Sequence, residues 1–169
     1  DKNLFNKVYQ IHDHGRSVEG EVMRWGRNSR LDNIQAAILG HKLKTYSSVI
    51  ERRREIAQMY HDRLKDLEQL KLPPGPTENK DNFDVYQNFE LEADNRDELK
   101  NFLSKKNIGT LIQWGGMGIH HFKQLGFNQV LPNTDQFFRR CIMLPMNIFI
   151  SNNDIEYICE TIISFYKNE

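Results

Sequence analysis

Gly26-Arg27-Asn28-Ser29-Arg30-Leu31-Asp32-Asn33-Ile34-Gln35-Ala36-Ala37-Ile38-Leu39 is the stretch on which the fold of this 169-residue chain turns. Leu31, Ile34 and Ile38 begin an apolar series that Val49, Ile56, Tyr60 and Leu64 continue at steps of three, four or seven, the spacing of one helical face. The run reads as one long helix, or two nearly collinear ones, with Asn28, Ser29 and Arg30 at its start. Either Asn28 or Ser29 can cap such a helix by accepting a hydrogen bond from its first free N–H groups. Those same N–H groups, with the positive end of the helix dipole, also suit an anion such as a phosphate. An arginine at position 30 fits that anion or a nearby carboxylate equally well.

Upstream, residues 1–30 are polar and irregular. Leu4, Val8 and Ile11 predict a short helix that His12-Asp13-His14-Gly15 ends, glycine being a ready helix stop. Downstream, Glu51-Arg52-Arg53-Arg54-Glu55 reads as a solvated helix face rather than a nucleic-acid contact, because opposite charges lie beside the arginines. Pro73-Pro74-Gly75-Pro76 forbids regular structure and marks a turn or linker.

A second unit follows the prolines. Phe83, Val85, Phe89 and Leu91 alternate as in a half-buried strand. Asn95 with Glu98 predicts a capped helix carrying Leu99, Phe102 and Leu103 inward, ended by Gly109. Thr110 to Trp114 predicts another strand broken at Gly115-Gly116, then a short helix from His120 to Leu125 stopped by Gly126. A helix opens at Thr134 and gives way to a strand near Met143 and Leu144. Ser151 and Asp154 open the last helix, whose Ile155, Ile158, Ile162 and Phe165 share a face. The expected fold is α/β: a long helix, then a small sheet of about three strands packed with helices.

Composition restricts the function. Twenty-three basic residues balance 23 acidic ones, so no global field draws the chain to nucleic acid or an anionic membrane. Cys141 and Cys159, on segments read as two helices, make a disulfide framework or a zinc site a poor expectation and fit a reducing cytoplasm. His12 with His14, and His120 with His121, lack the i, i+4 spacing of paired helical ligands, and no nearby cysteine or carboxylate cluster completes a shell, so no metal is expected. No serine, histidine and aspartate assemble into a triad from spacing.

The Gly26–Leu39 stretch closely resembles the G-x-N-x-R-L-x-x-x-Q-A-A segment of the DegT/StrS group of sugar aminotransferases. His14-Gly15 looks like that group's histidine-glycine loop, and Glu51-Arg52-Arg53-Arg54-Glu55-Ile56-Ala57 like its N-E-R-R-x-I-A segment. Val85-Tyr86 with Phe89, Arg96-Asp97-Glu98-Leu99, Asn107-Ile108-Gly109-Thr110 and Leu144-Pro145-Met146 recur in the group's order. The resemblance implies the C-terminal part of a fold-type I transferase dependent on pyridoxal phosphate (PLP). Residues 1–30 would be the tail of the large PLP-binding domain, 31–72 the long connecting helix, and 73–169 the small α/β domain.

The resemblance also implies a Schiff-base lysine upstream, in a stretch absent here, so no catalytic residue is assigned and this chain by itself is expected to be inactive. It implies a homodimer with shared active sites, glutamate as amino donor and a nucleotide-linked keto-sugar as acceptor. Asn28 is then expected to reach the partner subunit's PLP phosphate, with Arg30 near the same site. Gln113-Trp114 stands where many relatives carry histidine and an aromatic residue on the sugar side. Glutamine can bond a sugar hydroxyl or diphosphate oxygen but cannot titrate near neutral pH as histidine can. Trp114 could stack on a sugar or base, or belong to a core or domain interface. The surface of residues 1–40 that would meet the large domain and the partner is expected to be apolar, mobile or rearranged. Two alternatives stand beside this one: a sugar dehydratase of the same group, and a non-catalytic small-molecule-binding module.

Overall fold

The computed structural model describes residues 1–78 and 83–167, which divide into two compact units, Asp1–Tyr46 and Ser47–Glu169. In the first unit, α1 (Lys2–His12) is capped by Asp1, whose carboxylate accepts from the backbone N–H groups of Asn3 and Leu4 at 2.8 and 3.3 Å. Helix α2 (Asn33–Leu43) follows a long loop, and a turn at Lys44 and Thr45 separates it from α3 (Tyr46–Leu64). The expected long helical run is therefore two helices, ending at Leu64.

Within Asp1–Tyr46 only Gly15 is buried. Leu4, Phe5 and Val8 on α1 and Ile34, Ile38 and Leu43 on α2 are exposed, and Trp25 is 98% exposed. The apolar surface expected over residues 1–40 is present. Single short helices gain little stability without a buried face, and exposed apolar surface of this extent is uncommon on a monomeric protein.

The second unit has an antiparallel sheet in the order β1 (Leu70–Lys71), β2 (Phe89–Ala93), β3 (Cys141–Leu144). Alternation along β2 turns Phe89, Leu91 and Ala93 to the core and leaves Glu90 and Glu92 half-buried on the other face. Phe89 pairs with Leu144 and Leu91 with Ile142. Ile56, Tyr60 and Leu64 of α3, Leu99 and Leu103 of α4 (Arg96–Lys105), and Ile155, Ile158 and Ile162 of α6 (Asn152–Lys167) close that core. Helix α5 (Pro132–Arg140) leads into β3.

Several sequence expectations need correction. Arg52, Arg53 and Arg54 are not a solvated face: they donate to the carbonyl oxygens of Ile150 (2.6 Å), Tyr86 (3.0 Å) with Gln87 (2.7 Å), and Pro76 (2.9 Å) with Asp84 (2.5 Å). Loop carbonyls have no partner within their own segment, and a guanidinium supplies several donors at once. Phe83 lies outside any strand, with the Arg54 guanidinium 4.2 Å from its ring centroid. Cys141 opens a strand rather than lying in a helix. Asn95 adopts φ 49° and its side chain does not cap α4; left-handed Asn107 (φ 60°), not Gly109, terminates that helix, with the Ile108 N–H returning to the Leu103 carbonyl at 2.9 Å.

Candidate functional site

The loop between α1 and α2 is closed by backbone contacts. His14 N–H donates to Arg27 O at 3.0 Å, Arg27 N–H to Ile11 O at 2.7 Å and Ser29 N–H to His12 O at 2.9 Å, and Asp13 pairs with Asn28 in an antiparallel bridge. Asn28 is therefore extended backbone held against Asp13. It is not at a helix start: Asp32 is the N-cap of α2, with Gln35 Oε1 accepting from the Asp32 N–H at 3.2 Å. The helix-terminus argument for anion binding does not reach Asn28. What Asn28 offers is an exposed side-chain amide without a hydrogen-bond partner among the described residues, a neutral donor suited to a phosphate oxygen. Arg30 Nη1 lies 3.2 Å from Asp13 Oδ1, an ion pair without hydrogen-bond geometry that leaves its other N–H donors available.

Gln113 and Trp114 share one turn of the second unit. Leu111 exchanges two backbone hydrogen bonds with Met143, at 3.2 and 2.8 Å, but the strand expected through Trp114 stops there. Trp114 (φ 51°), Gly115 (φ 64°) and Gly116 (φ 78°) are consecutively left-handed, which no strand accommodates. Trp114 is 77% exposed, so it is no core residue of the second unit. Gln113 is half-buried and its amide has no partner among the described residues.

Beside this turn lies a cluster the sequence did not reveal. His120 Nε2 and His121 Nε2 lie 2.6 and 2.9 Å from the same Asp135 oxygen. These hydrogen bonds, that of His120 foremost, hold the Asp135 carboxyl below its usual range. Asp135 is a carboxylate that spacing had not brought to the histidines, and the three groups offer ligand atoms within 4.8 Å of one another. Their hydrogen bonding opposes a metal. His121 Nδ1 accepts from the Gly118 N–H at 3.0 Å, so the neutral ring carries its proton on Nε2, the atom a cation would need. His120 Nδ1 is buried without a partner, whereas a metal-bound histidine normally anchors its second nitrogen. The cluster is a closed clamp. A cleft of about 370 Å³ lies alongside, lined by Arg96, Gly115, Gly116, His121, Asp135 and Arg139 among others. A second, of about 310 Å³, is lined by Leu144-Pro145-Met146 with Gln87, Asn88 and Leu111 among others.

The sequence profile of the DegT/DnrJ/EryC1/StrS aminotransferase family matches residues 1–163. The chain belongs to this family. It is 30% identical over 99% of its length to the pleiotropic regulatory protein of Geobacillus stearothermophilus, and 30% identical over 96% to the dTDP-3-amino-3,6-dideoxy-alpha-D-galactopyranose transaminase of Aneurinibacillus thermoaerophilus. It spans under half the length of these curated relatives, 46% and 44%. A solved DegT/DnrJ/EryC1/StrS aminotransferase from Brucella abortus superposes with a TM-score of 0.84 at 30% identity, covering 98% of this chain and 44% of that one. The α/β fold is thus one found within fold-type I PLP-dependent transferases, as the sequence motifs implied. No described helix is long and apolar enough to cross a membrane.

Proposed function

We propose that the intact protein is a homodimeric PLP-dependent aminotransferase that passes an amino group from glutamate to a nucleotide-linked keto-sugar, in the biosynthesis of deoxyamino sugars for lipopolysaccharide or another surface polysaccharide. Residues 1–30 are the tail of its large domain, 31–72 the connecting segment and 73–169 its small domain. The exposed apolar side of residues 1–46 is where the large domain and partner subunit would pack. Family membership over residues 1–163 and a relative named as a nucleotide-sugar transaminase support this assignment. Two free, buried thiols fit a reducing cytoplasm.

PLP, when bound, supplies the electron sink that lets nitrogen move between donor and acceptor carbons. The contributions of this chain are binding and orientation. Asn28 donates its amide N–H to a phosphate oxygen at a site shared across the dimer, and Arg30 adds positive charge beside it. Gln113 orients a sugar hydroxyl or diphosphate oxygen. It moves no proton, since an amide does not titrate. Trp114 covers a ring with its exposed face.

The observation that carries the assignment is the unpaired amide of Asn28 on a backbone fixed by the His14-Gly15 loop. The test is an absorbance spectrum of the full gene product with PLP, before and after borohydride. A borohydride-reducible lysine link in the wild type, and PLP retention weakened about tenfold in Asn28→Ala, is the expected result. A full gene product that takes up no PLP and forms no borohydride-reducible lysine link would overturn it in favour of a non-catalytic binding module.

A further inference from the structure

The structure brings Asp135, His120 and His121 together at the base of the turn that carries Gln113 and Trp114. We propose that this clamp positions those two side chains for the keto-sugar. The inference rests on the functional assignment above.

Beyond the pairing of Leu111 with Met143 at its start, few contacts hold this segment. Between Gln113 and Leu131 the chain forms only the short turns Gln113–Gly116, Ile119–His121 and Lys123–Leu125. Of its large apolar residues, Met117, Ile119, Phe122 and Leu125 are exposed and Phe127 is half-buried, so hydrophobic burial does little to fix it. His120 is the exception, buried to 7% exposure. The two imidazoles meet one carboxylate oxygen, with ring centroids 4.0 Å apart, and the Gly118 N–H holds the far side of His121. A Cβ on Gly118 would fall 2.6 Å from the His120 ring and 3.0 Å from that of Phe138, so the backbone there lies directly on the clamp and on α5.

Helix α5 is itself anchored. Arg96 Nη1 donates to the carbonyl oxygens of Phe138 at 3.2 Å and Cys141 at 2.8 Å, and Arg140 pairs with Asp94. The route therefore runs from the sheet through α5 and Asp135 to the loop and its two sugar-side residues. Asp135 and the histidines are positioning residues: they hold the loop and make no contact with substrate.

The experiment compares full-length wild type with Asp135→Ala and Asp135→Asn, since an asparagine oxygen can still accept both N–H groups. Amide hydrogen exchange over residues 113–126 reads the tether. Steady-state kinetics, with the amino-donor half-reaction followed separately, read its consequence. Asp135→Ala should speed exchange in this segment and raise KM for the keto-sugar about tenfold, with kcat and the donor half-reaction within about twofold, a loss of the size that misplaced binding groups produce. Asp135→Asn should restore both. An unchanged KM, a donor half-reaction impaired as much as sugar transfer, or an asparagine variant as poor as alanine would each overturn the clamp while leaving the aminotransferase assignment intact. A wild-type protein that transfers nitrogen to no nucleotide-linked keto-sugar would overturn both.

Discussion

Gly26 lies against Gly15 with no room for a side chain on either: a Cβ on Gly26 would fall 2.0 Å from the Gly15 nitrogen, and one on Gly15 1.7 Å from the Arg24 carbonyl oxygen. Each glycine begins or ends a motif that the sequence singled out, and their contact is what sets the backbone beneath Asn28. Gly26→Ala must push the two strands of the loop apart. In the full-length protein it should weaken PLP retention as much as Asn28→Ala does, about tenfold, with an unchanged far-ultraviolet circular dichroism spectrum. Retention equal to wild type would show that the contact does not govern Asn28.

Arg53 joins α3 to the segment before β2 through the carbonyls of Tyr86 and Gln87. Hydrogen bonds to a charged group contribute about 1.5–3 kcal/mol, and Arg53→Ala should lose about that much in urea unfolding of the full-length protein. A solvated arginine would lose less than about 0.5 kcal/mol, so the measurement separates the two descriptions of the arginine run.

Burial pushes the Cys159 thiol up to about 12 and raises that of Cys141 as well. Both should resist alkylation at mildly alkaline pH in the native protein and react only when denaturant exposes them. Labelling of the native protein at the rate of a free thiol would contradict the packing of β3 and α6.

Glu90 is half-buried on the outer face of β2, with Oε1 shielded from water and unpartnered, and desolvation raises its pKa. A raised folded-state value favours the protonated form. Its stability contribution is full below the unfolded pKa near 4.5 and is lost as pH rises through the folded value. Glu90→Gln should therefore raise Tm near pH 7 and leave it unchanged near about pH 4. The opposite pH dependence would mean that the carboxylate has a partner.

Local patterns were legible where one segment carried the whole signal. Ser151 and Asp154 form the capping box read from their spacing, with Ser151 Oγ 2.6 Å from Asp154 Oδ2 and the Asp154 N–H donating to Ser151 Oγ at 3.1 Å. The inward faces of α3, α4 and α6 followed from helical periodicity in the same way. What escaped was set by distant partners. Strand β1 has two residues, too few to show alternation. Arg52, Arg53 and Arg54 find carbonyls on three separate loops, which no charge pattern announces. Asp135 meets His120 only because the loop folds back on α5. Trp114 takes a left-handed conformation that side chains other than glycine rarely adopt, so its residue type suggested a strand end.

The most direct test is amino transfer by the full-length protein from isotopically labelled glutamate to a panel of nucleotide-linked keto-sugars, read by mass spectrometry of the sugar product. Label in the sugar with the wild type, and about tenfold less with Asn28→Ala at limiting PLP, is the predicted result. Unlabelled, dehydrated sugar would make the protein a dehydratase of this family, and unchanged sugar in every case would contradict the assignment.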